Sequence, residues 1–190
     1  MELLTGILSA FGLSASAGLN AYIPLLVVGV LAHYTNLIKL SSPWDTLANP
    51  WILILLSVLA IIEFLADKIP AVNHLNDIIQ TIIRPAAGAI AFAASARVVS
   101  DMHPVLALAC GLLIAGSVHV VKAAAVRPAV TATTGGTANV PVSMAEDFIA
   151  TILSFLSVII PILVGAFICL IVALIIWWFW RRANAASRVK

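Results

Sequence analysis

The sequence predicts an all-α fold, a polytopic transmembrane helical bundle of about 5–7 membrane segments with interrupted or re-entrant elements and an internal repeat. Three observations predict it. Of the 190 residues, 63% are hydrophobic and 9% are charged, against about 25% charged in average soluble domains. Mean hydropathy is +1.14, and several apolar runs reach the roughly 20 residues that a helix needs to cross about 30 Å of hydrocarbon. The scarce charges are also concentrated: Glu63, Asp67, Lys68, Asp77 and Arg84 fall between two apolar runs, in Ile61 to Gly88. A charge near a bilayer centre costs roughly 2.5–3.5 kcal/mol on insertion scales, so such groups face a bundle interior or a wet cavity and mark sites or pathways.

The formal net charge of +2 is too small to indicate nucleic acid as a partner. Cys110 and Cys169 are isolated in apolar runs, without the spacing of a disulfide framework or a zinc site, and read as packing residues. The sequence carries no cofactor motif. The first apolar run lacks a basic leader and continues into patterned sequence, so no cleaved signal peptide is expected.

Leu3 to Leu13 spans only about 16 Å as a helix and runs into SASAGLNAYIP, Ser14 to Pro24. Small and polar residues, with Gly18, Asn20 and Pro24 among them, predict an interruption there, either unwound backbone lining a cavity or a kinked helix pair. Tyr22 to Ile38 follows as a spanning helix. An exposed loop then contains Ser42-Pro43 and Asn49-Pro50, each a cap residue followed by a proline suited to the first helical position. Trp51 to Ala66 is the next span, flanked by Trp44 and Trp51 at the interface. Glu63 and Asp67 stand four apart at its end and share a face.

Pro70 closes that helix. Val72 to Ile83 alternates Val72, Leu75, Ile78, Ile79, Ile82 and Ile83 with a polar face of Asn73, Asp77, Gln80, Thr81 and Arg84, the pattern of an interfacial helix or a re-entrant segment. Pro85 is expected to start a separate small-residue helix. SDMHP, Ser100 to Pro104, reads as a turn, and Val105 to Val121 as a span ending in His119 and Lys122 on one face. Ala125 to Pro141 is the most polar and least helix-like stretch. Its Gly135-Gly136 pair, flanked by Thr133, Thr134 and Thr137 and followed by Asn139, offers N–H groups and hydroxyls to an ion or anionic group. Ser143 to Glu146 has capping-box spacing, which assigns Glu146 and Asp147 a structural alternative at a helix start. Phe148 to Trp180 is expected to divide or kink at Pro161 and Gly165, and Trp177, Trp178, Trp180, Arg181 and Arg182 mark a membrane exit on the cytoplasmic side.

SASAGLNAYIPL, from Ser14, aligns with TATTGGTANVPV, from Thr131, matching Gly18 with Gly135 and Pro24 with Pro141. Interrupted segments at corresponding places in two halves point to a binding site between repeats. A second echo sets Arg84-Pro85 against Arg127-Pro128 at a different offset, so the two matches do not describe one simple duplication.

Several stretches carry a family likeness: SASAGLNAYIPLL, EFLADKIP, NDIIQTIIRPAAGA, KAAAVRP and TTGGTANVPVSMAED. With them the chain resembles a bacterial membrane family catalogued as domain of unknown function 4126. The resemblance covers most of the chain outside its final helix. It implies an integral inner-membrane protein and supplies no activity.

One transmembrane domain, 1–180, and a basic cytoplasmic tail, 181–190, are therefore expected. The leading functional expectation is a non-enzymatic transporter or channel for an ion or small charged solute. Its pathway would be lined by Asn20, Glu63, Asp67, Asp77, Arg84, Lys122, Arg127, Thr134, Gly135, Gly136, Asn139, Glu146 and Asp147. Arg84, Lys122 and Arg127 suit an anion, whereas the carboxylates suit a cation or a proton relay. A structural or partner-binding protein with buried ion pairs is the alternative. A lipid-directed membrane enzyme is the third reading, for which the sequence selects no nucleophile. Membrane lipids and a homo-oligomer are the partners considered.

Overall fold

In the computed structural model, which describes residues 2–96 and 102–187, every regular element is helical. Glu2–Leu19 (α1) and Tyr22–Tyr34 (α2) lead through a short 3-10 turn, Trp44–Ala48, to Pro50–Ala66 (α3) and Pro70–Ala96 (α4). Pro104–Val121 (α5) continues through a π-helical turn, Lys122–Val126, into Arg127–Thr134 (α6); Asn139–Ile159 (α7) and Pro161–Ser187 (α8) follow. Ser100 and Asp101 of the expected SDMHP turn, Arg188 and Lys190 of the tail, and the side chain of Cys169 lie outside the described residues.

Among the described residues, Leu75–Ser95, Pro104–Thr134 and Asn139–Ile159 are long and apolar enough to cross a membrane; Leu4–Leu19, Tyr22–Tyr34 and Pro50–Ala66 are shorter apolar helices. Large apolar side chains point outward along these elements, among them Ile54, Ile61, Ile82, Leu113 and Phe148. Among the described residues, the interior instead holds alanines, serines and the charged Glu63, Asp67, Arg84, Lys122, Arg127, Glu146 and Asp147. An apolar exterior around a polar interior is the construction of an integral membrane protein.

The helix at the centre is α1, which packs on α4, α5, α7 and α8. Lipid tails are as apolar as leucine, so helices in a membrane associate through close packing and interhelical hydrogen bonds. Ala10, Leu13, Ser14, Ala17 and Ala21 are completely buried. The Ser14 hydroxyl sits 2.8 Å from the Gly111 carbonyl and 3.2 Å from that of Gly88, joining α1 to α5 and α4. Helix starts follow their local chemistry. Asn49 Oδ1 accepts from Trp51 N–H at 2.9 Å ahead of α3, with Pro50 at the first helical position. His103 Nδ1 accepts from Val105 N–H ahead of α5.

The structure corrects several expectations. The interruption predicted over Ser14 to Pro24 is confined to Asn20 and Ala21, because Ser14 and Ser16 bond to carbonyls on other helices and leave α1 intact through Leu19. The helix expected from Tyr22 to Ile38 ends at Tyr34. No separate interfacial or re-entrant helix forms over Val72 to Ile83. The chain from Pro70 to Ala96 is one helix with Pro85 inside it, and neighbouring helices tolerate the lost backbone hydrogen bond. Ala125 to Pro141 is helical through Thr134. Pro128 cannot donate to an α-helical partner, and the preceding π turn takes up the mismatch, with Arg127 N–H reaching back to the Lys122 carbonyl. The capping box is absent too: α7 begins at Asn139, leaving Ser143 and Glu146 inside a helix. The division expected at Pro161 is present, while Gly165 lies within α8.

Candidate functional site

The break between α1 and α2 shows how the site is built from released backbone groups. In a continuous helix Ile23 N–H would bond the Leu19 carbonyl. Here Asn20 Oδ1 accepts from both Tyr22 and Ile23 N–H at 3.1 Å. The freed Leu19 carbonyl accepts from Lys122 Nζ at 3.1 Å. Ala21 N–H, released as well, donates to Glu63 Oε2 at 3.1 Å. Asn20 Nδ2 donates to Asp147 Oδ1 at 3.0 Å. Leu19, Asn20 and Ala21 thus hold three charged side chains.

Those charges belong to one network. On α4, Arg84 is fully buried and donates through Nε and Nη2 to Glu63 Oε1, at 3.1 and 2.9 Å. Its Nη2 is also 3.6 Å from Asp67 Oδ2. Asp67 further receives Asn76 Nδ2 at 2.7 Å, Arg127 Nη2 at 3.1 Å and the Ser143 hydroxyl at 3.2 Å. Lys122 Nζ lies 2.8 Å from Glu146 Oε2, and Lys68 Nζ 3.0 Å from Asp147 Oδ2. Arg127 Nη1 reaches Asp77 Oδ2 at 3.4 Å. Charges buried this deeply are tolerated only when paired and hydrogen-bonded.

Arg84 also fixes the state of a histidine. A guanidinium only donates, so His119 Nδ1, 3.2 Å from Arg84 Nη1, accepts, and the ring is neutral with its proton on Nε2. That proton faces the Thr81 hydroxyl at 3.1 Å, which itself donates to the Asp77 carbonyl at 2.8 Å.

The expected site residues divide accordingly. Asn20, Glu63, Asp67, Asp77, Arg84, Lys122, Arg127, Glu146 and Asp147 all join the network. Gly135, Gly136 and Asn139 sit apart from it, on the wall of a cleft of about 800 Å³ that Asp67, Lys68, Asp77, Arg127 and Thr131 also line. Thr134 is not brought to the site. Its hydroxyl donates to the Val130 carbonyl and accepts from Ala138 N–H. Gly135 and Gly136 adopt φ of 63° and 88° to turn the chain after α6, and the N–H groups of Thr137 and Asn139 donate within that turn.

Lys68, Asn76, His119 and Ser143 were missed as site members. Lys68 lies just past the end of α3 and reaches Asp147 on α7, a partner that spacing along one helix could not reveal. Asn76, Gln80 and Arg84 recur every four residues and share the buried face of α4. That spacing was a usable signal.

A match to the family model described as Domain of unknown function (DUF4126) extends over residues 7–181. The chain belongs to this DUF4126 family. The match takes in every element of the network, from the Asn20 break to the α7 carboxylates. No curated protein and no solved structure matches the chain.

Proposed function

We propose that this DUF4126 protein is a small membrane transporter or channel that takes up an ion or small charged solute at the buried network. The observation that carries the reading is the cleft. Asp67, Lys68, Asp77 and Arg127 are at once members of the network and part of the wall of an open volume of about 800 Å³. A purely structural ion-pair cluster has no need of an opening that exposes its members to solute. The reading is non-enzymatic and, because Arg181, Arg182, Arg188 and Lys190 cluster near the end of the chain, it sets the C-terminus in the cytoplasm of a bacterial inner membrane.

A structural role is the second reading, supported by the completeness of the pairing. Each of Lys68, Arg84, Lys122 and Arg127 has a carboxylate oxygen within 3.1 Å. Filling the cleft separates the two. Ala132 is exposed on the cleft wall and outside the network, so Ala132→Trp is expected to leave thermal stability unchanged. In vesicles it should cut flux across a panel of sodium, potassium, protons, chloride and phosphate by about tenfold or more. Unchanged flux in a folded Ala132→Trp protein would remove the cleft from the pathway.

A further inference from the structure

Resting on the transport reading, we infer that the species taken up is a small monovalent cation, down to a bare proton, and that it crosses the bundle along a polar seam between α1 and α7. Two sets of observations carry this. The first is the charge and hydrogen-bond inventory of the network. Glu63, Asp67, Asp77, Glu146 and Asp147 supply five carboxylates against the four bases Lys68, Arg84, Lys122 and Arg127, so one negative charge is left over among the described residues. Among the described residues, Asp77 Oδ1 and Gln80 Oε1 are buried without a hydrogen-bond partner, and Gln80 is only 2% exposed. These two residues stand three apart on α4, hence close together on its surface. Both orphans are acceptors. What satisfies them is a donor or a cation, and a bound anion would add to the surplus. Among the described residues no three His, Cys, Asp or Glu side chains converge as metal ligands, which disfavours a caged divalent ion.

The second set is the seam. Thr5, Ser9, Gly12 and Ser16 on α1 and Asn20 just past its end recur at helical spacing, and Gly12, Ser16 and Asn20 meet α7 in antiparallel order. Asn20 meets Asp147, and Ser16 Oγ lies 2.8 Å from the Ala150 carbonyl and 2.7 Å from Ser154 Oγ. A Cβ on Gly12 would fall 2.1 Å from Ser157 Oγ. Thr5 and Ser9, with Val158 and Pro161, then line a second cleft of about 470 Å³. From Thr5 to Asn20 is about 22 Å of helix, so the seam joins the network to the opposite end of α1. It presents hydroxyls, a carboxamide and a carboxylate, oxygen-rich chemistry suited to a monovalent cation or a proton. Its tight packing at Gly12 and Ser16 favours the proton over a hydrated ion.

The test is ion selectivity of the full-length protein in vesicles under an interior-negative potential. Internal pyranine reports protons, labelled sodium reports a metal cation, and chloride and phosphate are run separately. Uptake of protons or sodium is expected, and the two arms distinguish those sources. Ser16→Ala/Ser154→Ala should lower it about tenfold in the fraction that remains folded and monodisperse. Chloride or phosphate uptake without cation uptake would overturn the cation inference and leave the transport reading standing. Uptake of none of the probes would overturn both. Full cation uptake by the folded double variant would overturn the seam as its route, and the wild-type selectivity measurement decides the cation claim even if that variant does not fold.

Discussion

Arg84→Met is expected to leave little folded protein. Arg84 is 0% exposed and is held by Glu63 Oε1, with Asp67 Oδ2 and His119 Nδ1 beside it. Methionine fills a similar volume but strands Glu63 at the centre of the bundle. Breaking one side of a buried ion pair costs roughly 3–5 kcal/mol, a large part of the 5–15 kcal/mol by which a typical domain is stable. Glu63→Gln/Arg84→Met removes both charges and is expected to recover much of the loss, because the penalty comes from the unpaired charge. The check is the monodisperse fraction in detergent together with the thermal midpoint of each variant. An Arg84→Met protein as stable as the parent would mean that the network is not buried as described.

The second large effect is expected at Gly111, where α5 crosses α4. A Cβ there would lie 2.4 Å from the Gly88 carbonyl oxygen, 2.6 Å from Phe92 Cβ and 2.7 Å from Ala89 Cα. Backbone atoms cannot rotate aside, so Gly111→Val must separate the helices and break the Ser14 hydroxyl's contact with the Gly111 carbonyl at 2.8 Å. Overpacking of this kind costs about 1–3 kcal/mol or more. Gly116, one turn and a residue further along α5, is the internal control. A Cβ there would meet Pro85 Cγ at 3.7 Å, an ordinary contact. Gly116→Ala is expected to be neutral or slightly stabilising, since alanine restricts the unfolded chain more than glycine does. Equal melting curves for Gly111→Val and Gly116→Ala would contradict this helix packing.

The all-helical membrane architecture was legible because composition and apolar run length report directly on the solvent around a chain. The convergence of Glu63, Asp67, Lys122 and Arg127 was legible for a related reason: isolated charges in hydrocarbon are too costly, so they must meet. Helix continuity was much less legible. Pro85, Pro128 and the Ser14 to Gly18 stretch all look like breaks by propensities measured in water. Inside the bundle those serines find carbonyls on neighbouring helices, and the π turn at Lys122–Val126 absorbs Pro128. Glu146 illustrates a misassignment with the right residue in view. Its spacing from Ser143 suited a helix cap, yet the helix starts four residues before Ser143, and both side chains turn to the network. Partners such as Lys68 with Asp147, or Asn20 with Asp147, lie 79 and 127 residues apart in sequence. Only the packing of α1, α3 and α7 brings them together.

The most direct test of the transport account is Asp77→Asn, measured for stability and flux on the same purified protein. Asp77 lies on the cleft wall, and its carboxylate reaches Arg127 at 3.4 Å. Its neutralisation leaves four carboxylates facing four bases, so a folded protein with a thermal midpoint close to the parent's is expected. Flux of protons, sodium, potassium, chloride and phosphate in reconstituted vesicles is then measured for parent and variant. The account predicts that the probe carried by the parent is carried about tenfold more slowly or worse by Asp77→Asn. A folded variant with undiminished flux would contradict it.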